Sequence, residues 1–445
     1  MRDAEPHPEE SMSYFPSWRP ATGPVVMPDE RLPAAQSLTM GIQHLLAMSG
    51  STIVAPILMG FDPNVAVFFS GIGTLLFFVV TGGRVPSYLG SSFAFIAVVL
   101  AVMGQEGATI GHALGGIVAC GVLYALIGVV VMLVGSGWVE RLMPPVVTGT
   151  IGVAIGLNLA PVAVQQLNAF GNPTAAHTTI ALLTVLCMAM VACHGPQASR
   201  RISVLLALVF GYLLVLTLGN GLGIVPGIDF SKVAGAAWFG LPNFARPEFH
   251  WSAITLIAPV AIILVAENLG HIKALGAITG QNMDRYIGRG FLADGLATVV
   301  AGSGGGTGVT TYAENIGVMA MTKVYSTLVF VIAAVVAILL GLSPKFGAIL
   351  QTIPAPVLAG LSVSVFGLIA SAMVRIWVQN KVDFADPRNL FTVGVALIFG
   401  AGDFTLQIGD FALGGIGTST LAALVLYQIL GIGRKREPSS ERGHH

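Results

Sequence analysis

Three residues carry most of the chemistry open to this chain: Glu314, Glu267 and His271. Glu314 sits in Gly304-Gly305-Gly306-Thr307-Gly308-Val309-Thr310-Thr311-Tyr312-Ala313-Glu314-Asn315-Ile316-Gly317, inside a sequence otherwise suited to lipid. A charge at membrane depth is costly and is usually kept for function, turned toward a cavity or a partner. The glycines and threonines before it predict backbone that leaves regular helix. Such backbone is tolerated in a membrane only where protein buries it or a water-filled cavity faces it. Val309-Thr310-Thr311-Tyr312 is β-branched and aromatic and predicts a short strand, with a helix from about Ala313 through Met321. Glu314 falls in the first turn of that helix. There the positive end of the helix dipole favours a carboxylate, and free backbone N–H groups point into the site. The plainer reading is a buried glutamate satisfied by a neighbouring helix.

Glu267 and His271 lie four residues apart in Leu264-Val265-Ala266-Glu267-Asn268-Leu269-Gly270-His271, so they share one helix face. A carboxylate beside an imidazole inside a membrane suits a proton relay, with the histidine holding the carboxylate or exchanging a proton with it. The alternative is an interfacial pair near a helix end, steadied by Lys273. Gln43 and His44 lie within the first apolar segment; they suit either a functional role or a simple hydrogen bond across helices. Phe93 and Tyr312 stand at matching places in two interrupted segments and could sandwich a flat ring; each could equally pack or face lipid. Asp294 and Asn315 are polar residues inside apolar segments that could bridge helices. Asp403 and Asp410 are expected in a solvated outer loop.

These residues depend on a membrane scaffold. Of 445 residues, 54% are hydrophobic and 9% charged, with a mean hydropathy of +0.82. Soluble globular chains carry about 25% charged residues, so this is read as an all-α polytopic membrane protein. Zero net charge and no basic run leave nothing to bind nucleic acid. The polar, acidic N-terminal tail has no basic segment feeding an apolar one, and no cleaved signal peptide is expected. Cys120, Cys187 and Cys193 lie in apolar runs without metal-ligand spacing and are read as packing residues. His444 and His445 carry no weight.

Apolar runs of spanning length lie at 37–59, 64–82, 113–135, 145–163, 178–194, 202–222, 253–270, 324–343, 353–376 and 412–431. Weaker or glycine-interrupted ones lie at 88–103, 286–302, 307–322 and 388–402, which makes fourteen. With an even count both termini share a side. All 21 Lys and Arg residues except Lys232, Arg246 and Lys345 then fall on it. By the positive-inside rule that side is cytoplasmic. Ser91-Ser92-Phe93-Ala94-Phe95 echoes Thr310-Thr311-Tyr312-Ala313-Glu314. Pro145-Val146-Val147-Thr148-Gly149 echoes Pro356-Val357-Leu358-Ala359-Gly360 at nearly the same offset. Two seven-span halves, inverted because seven is odd, are therefore expected. Broken spans 3 and 10 would each hold a short strand, and such paired breaks mark a transporter site.

Other motifs fall away. Gly302-Ser303-Gly304-Gly305-Gly306-Thr307-Gly308 lacks the lysine of a P-loop and the βαβ setting of a dinucleotide fold, and no H-E-x-x-H, G-x-S-x-G or CxxC occurs. No cofactor, no metal and no enzyme chemistry is expected. Gly152-Val153-Ala154-Ile155-Gly156 is a helix-packing signal. Two intramembrane carboxylates without intramembrane Arg or Lys disfavour an anionic substrate. They suit a cation or a neutral ligand rich in N–H donors, since ionised carboxylates only accept hydrogen bonds while free helix-end amides donate them. A flat ring with alternating N–H and C=O groups matches both, and uracil has that shape. A dry, emptied site disfavours a charged carboxylate, which links substrate movement to proton movement.

Glu314-Asn315-Ile316-Gly317-Val318-Met319-Ala320-Met321-Thr322-Lys323 resembles the signature [Q/E/P]-N-x-G-x4-T-[R/K/G] of the nucleobase–ascorbate transporter (nucleobase:cation symporter-2) family. The resemblance extends to Gln43-His44, Gly90-Ser91-Ser92-Phe93-Ala94-Phe95 and Ala266-Glu267 with His271. It covers roughly 30–430 and is closest to bacterial uracil/pyrimidine permeases. It implies fourteen spans in two inverted repeats. A core domain would comprise 37–137 (spans 1–4) and 253–345 (spans 8–11). A gate domain would comprise 138–222 (spans 5–7) and 346–431 (spans 12–14). An external loop at 223–252 and cytoplasmic tails at 1–36 and 432–445 complete the chain.

The resemblance further implies substrate binding by Glu267 and Glu314, with His271 as partner, backbone contacts at Phe93 and Ala313, and Tyr312 and Ser51 in the pocket. Gln43, His44, Asn315 and Phe366 would support them, and Glu267, His271 and Glu314 would couple protons. Proton symport across the cytoplasmic membrane, and a homodimer through the gate domain, are implied likewise. Two positions depart from the pattern of close uracil permeases: Ala313 replaces a glycine, and Phe366 replaces a gate tyrosine. Glutamate at the first signature position resembles uracil permeases, whereas glutamine there is typical of xanthine and urate carriers. A purine carrier on the same fold, and more distantly an anion transporter, are the alternatives.

Overall fold

The computed structural model describes residues 14–169, 174–408 and 411–432. Asp410, His444, His445, the first 13 residues and the C-terminal tail after 432 lie outside the described residues. The chain opens with a short parallel pair, β1 (Arg19–Pro20) and β2 (Glu30–Arg31), and continues through α1 (Ala34–Met59) and α2 (Pro63–Val80). Next come β3 (Leu89–Ser91), a 3-10 turn at Phe93–Phe95, α3 (Ile96–Met103), α4 (Ile110–Val134) and α5 (Gly137–Leu142). There follow α6 (Pro145–Asn158), α7 (Ala160–Leu167), α8 (Ala175–His194), α9 (Gln197–Arg201), α10 (Ser203–Val215) and α11 (Ser231–Gly235). Then come α12 (Trp251–Ile257), α13 (Val260–Thr279), α14 (Ile287–Ser303), β4 (Val309–Thr311) and α15 (Ala313–Thr322). The chain finishes with α16 (Thr327–Gly341), α17 (Pro344–Leu350), α18 (Ala355–Gln379), α19 (Pro387–Ala401), the hairpin β5 (Leu406–Ile408) and β6 (Phe411–Leu413), and α20 (Gly415–Ile429).

Helix is present in each of the fourteen predicted segments. Among the described residues eight helices are long and apolar enough to cross a membrane. A ninth qualifies if α16 and α17, bent by 85°, count as one span. The protein is therefore a mostly helical, multi-pass membrane protein. Exposed Trp238, Phe239, Phe249 and Trp251 gather in and beside the loop before α12, as aromatic side chains do at a membrane interface.

The helices pack in two groups. In one, α4 lies against α14 and α12, and α2 against α14, α16 and α1. In the other, α18 lies against α6, α7 and α8, and α19 against α20 and α6. Close approach of α4 and α14 rests on glycine. A β-carbon at Gly121 would stand 2.8 Å from the Gly295 carbonyl oxygen, and one at Gly128 would stand 2.4 Å from the Leu292 nitrogen. Small residues let helix backbones touch where lipid supplies no hydrophobic drive. The Gly152/Gly156 signal acts in the same way in the second group, where α6 meets Met373 and Ala370 of α18.

The structure refines three expectations. Cys120 is buried, but Cys187 is half-buried and Cys193 exposed, so only Cys120 packs inside; the other two lie on outward-turned faces of α8. Asp403 is exposed yet also structural, since its Oδ1 accepts from Asn158 Nδ2 (3.1 Å) and the Gly415 N–H (3.2 Å). The N-terminal tail, from Tyr14 onward, is also anchored to the helices. Phe15 and Trp18 stack on Phe78, and the Val26 N–H donates to the Lys323 carbonyl (2.9 Å). Trp18 Nε1 donates to Thr327 Oγ1 (3.0 Å). Its polar composition hid this role because the few aromatic anchors are widely spaced.

Candidate functional site

The two broken segments meet. β3 pairs antiparallel with β4, with Leu89 opposite Thr311, Gly90 opposite Thr310 and Ser91 opposite Val309. Two three-residue strands cannot stand alone, and each is clamped from the helix behind it. The Leu89 N–H donates to Thr74 Oγ1 of α2 (2.9 Å). The Val309 N–H donates to Thr298 Oγ1 of α14 (3.2 Å), which in turn donates to the Val309 carbonyl (3.1 Å). Thus backbone that leaves helix at this depth finds its partners inside the protein. Gly305, at φ 96°, turns the chain from α14 toward β4, where a β-carbon would stand 2.6 Å from the Ala245 nitrogen.

Tyr312 locks the pair. It is buried, its hydroxyl donates to the Ser91 carbonyl (2.6 Å), and it accepts from Thr52 Oγ1 (3.1 Å). Its ring lies over Gly90, where a β-carbon would come within 2.6 Å of it. Phe93, by contrast, is half-buried. The two rings expected to sandwich a ligand are therefore unequal. Only the Phe93 ring is open, because the Tyr312 ring and hydroxyl are already engaged.

α15 begins without a side-chain cap, leaving its first-turn N–H groups unpaired by capping. Ala313 is exposed and Glu314 half-buried at that end. Ser51 Oγ of α1 approaches Glu314 Oε1 at 3.5 Å, the long limit of a hydrogen bond. Glu267 is half-buried on α13, which packs against α15. Among the described residues no hydrogen bond reaches the Glu267 carboxylate. The site thus presents two open acceptor groups beside a set of backbone donors.

His271 does not hold Glu267. Its Nδ1 is 2.8 Å from Thr311 Oγ1 at the end of β4. Shared helix face sets which side chains are neighbours, but a strand arriving from elsewhere supplies the closer partner. Lys273 turns away from both and pairs with Glu140 (3.0 Å) and Asp284 (3.5 Å). Buried Asn315 donates through Nδ2 to the His44 carbonyl (3.1 Å), tying α15 to α1. Gln43 is half-buried beside them. Phe366 is buried on α18, in the second helix group, away from the strand pair.

Asp294, left unassigned by pattern alone, forms a buried cluster. Its Oδ2 accepts from Asn268 Nδ2 (2.7 Å), next to Glu267 on α13, and from the Tyr124 hydroxyl (3.4 Å) on α4. Neighbouring residues gave no hint of it, because its partners come from two other helices; the one available signal was an aspartate inside an apolar run.

Glu267 and Glu314 thus stand beside the paired breaks at β3 and β4, inside a multi-pass membrane protein. The sequence matches the Xan_ur_permease model, described as "Permease family", over residues 35–409. The chain belongs to this family, the nucleobase:cation symporter-2 permeases. It is 56% identical over 428 residues to RutG of Escherichia coli (strain K12), named as a candidate pyrimidine permease, covering 94% of this chain and 96% of that one. It is 38% identical over 426 residues to the uracil permease of Paenibacillus larvae subsp. larvae (strain NRRL B-3650 / LMG 16245), covering 94% and 99%. Among solved structures, the transmembrane domain of the cyanobacterial bicarbonate transporter BicA superposes with a TM-score of 0.63 at 17% identity, covering 88% of this chain and 98% of that one. Murine Slc26a9, an anion transporter, superposes with a TM-score of 0.64 at 12% identity, covering 91% and 70%. At such identities the likeness concerns the fold alone.

Proposed function

We propose that this permease is a proton-coupled symporter that imports a pyrimidine nucleobase, uracil first and thymine second, across the cytoplasmic membrane by alternating access. One observation carries the reading: Glu267 and Glu314 present carboxylates with few protein donors beside the uncapped start of α15. Carboxylates accept from ring N–H groups, and backbone N–H groups donate to ring carbonyls. Phe93 offers a face for the ring. The names of the two relatives above favour a pyrimidine. A proton carried on this pair of carboxylates would travel with the substrate. A xanthine or urate carrier on the same fold is the second reading, and glutamate at position 314 disfavours it.

The architecture proposed with this function is fourteen spans in two inverted seven-span repeats. The antiparallel meeting of β3 and β4 supports it, as does the clamping of each strand by a threonine on the helix before it. The first helix group, within 37–137 and 253–345, would carry the substrate as a core domain. The second, within 138–222 and 346–431, would be the gate and a dimer face. Both termini would be cytoplasmic, and 223–252 external.

Uptake of labelled uracil into cells and energised vesicles tests the proposal. Glu314→Ala should lower accumulation at least 100-fold while the protein still reaches the membrane, and a protonophore should abolish accumulation by the wild type. Normal uptake by the variant would sink the site assignment. Uptake that needs sodium would remove the proton. Stronger competition by unlabelled xanthine than by thymine would move the substrate to the purines.

A further inference from the structure

At the start of α4, two histidines and a glutamate from distant parts of the chain converge. His112 stands in the first turn of α4, and Glu248 and His250 end the loop that leads into α12. His112 Nε2 is 3.1 Å from Glu248 Oε2. The His112 and His250 rings have centroids 3.8 Å apart. One ligand-type atom from each of the three residues lies within 4.8 Å of the others. We propose that His112, Glu248 and His250 form a binding site for a divalent transition-metal ion of the zinc class.

The loop is built to bring these groups together. The Glu248 N–H donates to the Gly111 carbonyl (2.8 Å). A β-carbon at Gly115 would stand 2.2 Å from the Glu248 carbonyl oxygen, and one at Gly111 would stand 2.7 Å from the Glu248 carboxyl carbon. Two glycines one turn apart thus let the loop backbone lie directly on α4. Thr109, the residue before α4, donates from Oγ1 to Glu248 Oε2 (3.0 Å) and orients that carboxylate. Such an outer partner is what metal-binding side chains normally have.

The donor set selects the ion. Two imidazoles and one carboxylate form the three-ligand set of zinc sites that keep a fourth position for water. Magnesium and calcium require mostly oxygen ligands. Tetrahedral coordination at the usual zinc distances places ligand atoms about 3.3 Å apart. The His112–Glu248 spacing already meets this, and the exposed His250 side chain has freedom to close the remainder. Without metal, His112 Nε2–H lies against the Glu248 carboxylate, while Nδ1 accepts a long bond from the Thr109 N–H (3.4 Å). That bond is weak enough for the ring to move its proton to Nδ1 and offer the Nε2 lone pair.

An ion here would staple the start of α12 to the start of α4. α12 leads into α13 with Glu267 and His271, and α4 carries Tyr124 of the Asp294 cluster. In the proposed orientation the site faces the outside, where added metal reaches it.

The test uses the full chain, purified in detergent and stripped with EDTA, and titrated with zinc against a chromophoric zinc chelator. The wild type should bind one more zinc ion than His112→Gln/His250→Gln, with micromolar or tighter affinity. Zinc should raise its thermal unfolding midpoint by a few degrees, and the double variant should show no such rise. Thr109→Val should weaken binding about 10-fold. Equal zinc uptake and equal thermal response in wild type and double variant would overturn the site, since zinc would then sit on other histidines. Equal competition by magnesium or calcium would overturn the metal class. If the double variant fails to elute as a folded monodisperse species, Glu248→Gln, on an exposed side chain, gives the same comparison. None of these readouts depends on which substrate is carried.

Discussion

The segments Leu89–Met103 and Val309–Thr322 both run from strand to helix and face each other across β3 and β4, but their helix starts differ. In the first, Ser92 accepts from the Ala94 N–H (3.3 Å), and Phe95 is fully buried with its ring against Gly308. In the second, no side chain caps α15, and half-buried Glu314 stands where the first segment has Phe95. One helix start is closed by its own chain and packed shut. The other keeps free donors and an acceptor carboxylate, a combination that leaves hydrogen bonds for a ligand to make. Paired breaks bring the two segments together, and the unequal finishing leaves the second with the open polar groups.

The sharpest way to break this comparison is to push the segments apart. Gly308→Ala places a β-carbon about 2.2 Å from the Phe95 ring, and the buried ring has nowhere to move. We expect a loss of about 3 kcal/mol, the upper end of ordinary overpacking, read as a lower unfolding midpoint in detergent. Gly317→Ala, on α15 with nothing near its would-be β-carbon, should leave the midpoint unchanged. If both variants behave alike, close packing of the segments is not what holds them.

A smaller effect separates the two strands. Thr298 makes two bonds to Val309, whereas Thr74 makes one to Leu89. Removing a buried partner costs about 1–3 kcal/mol. Thr298→Val should therefore cost about 2 kcal/mol and Thr74→Val about 1 kcal/mol, with hydrogen exchange rising at Val309 in the first and at Leu89 in the second. The reverse order would mean that β3 is the more dependent strand. Smallest is Ser92→Ala, which removes the cap that α15 lacks. A loss of about 0.5–1 kcal/mol is expected, with uracil affinity changed less than by Glu314→Gln. A larger change in affinity than in stability would place Ser92 in the ligand's shell and erase the asymmetry.

Much of this was legible in the residues. Val309-Thr310-Thr311 reads as strand and forms one, and Glu314 reads as first-turn and lies there. Both follow from local backbone preference, which needs no distant partner. The reading of Glu267 with His271 was incomplete: spacing on a helix says which groups share a face, not which strand arrives to bond one of them. Tyr312 looked like a free ring because its hydroxyl partners, Ser91 and Thr52, are more than two hundred residues away in the chain. The partners of Asp294, and the meeting of His112, Glu248 and His250, are illegible in the sequence for the same reason.

By itself the sequence determined that this chain belongs in a lipid bilayer, where its helices run, where two of them break, and that a carboxylate opens the second half-helix. Hydrophobic run length, glycine and β-branching act over a few residues, so neighbours suffice. Only the tertiary structure decided that the two breaks pair with each other, that Tyr312 is spent on locking them, that His271 serves Thr311, and that Glu267 and Glu314 remain open. A buried polar group takes whichever donor or acceptor the fold brings within about 3 Å, and in this protein those partners come from elements far apart in the chain.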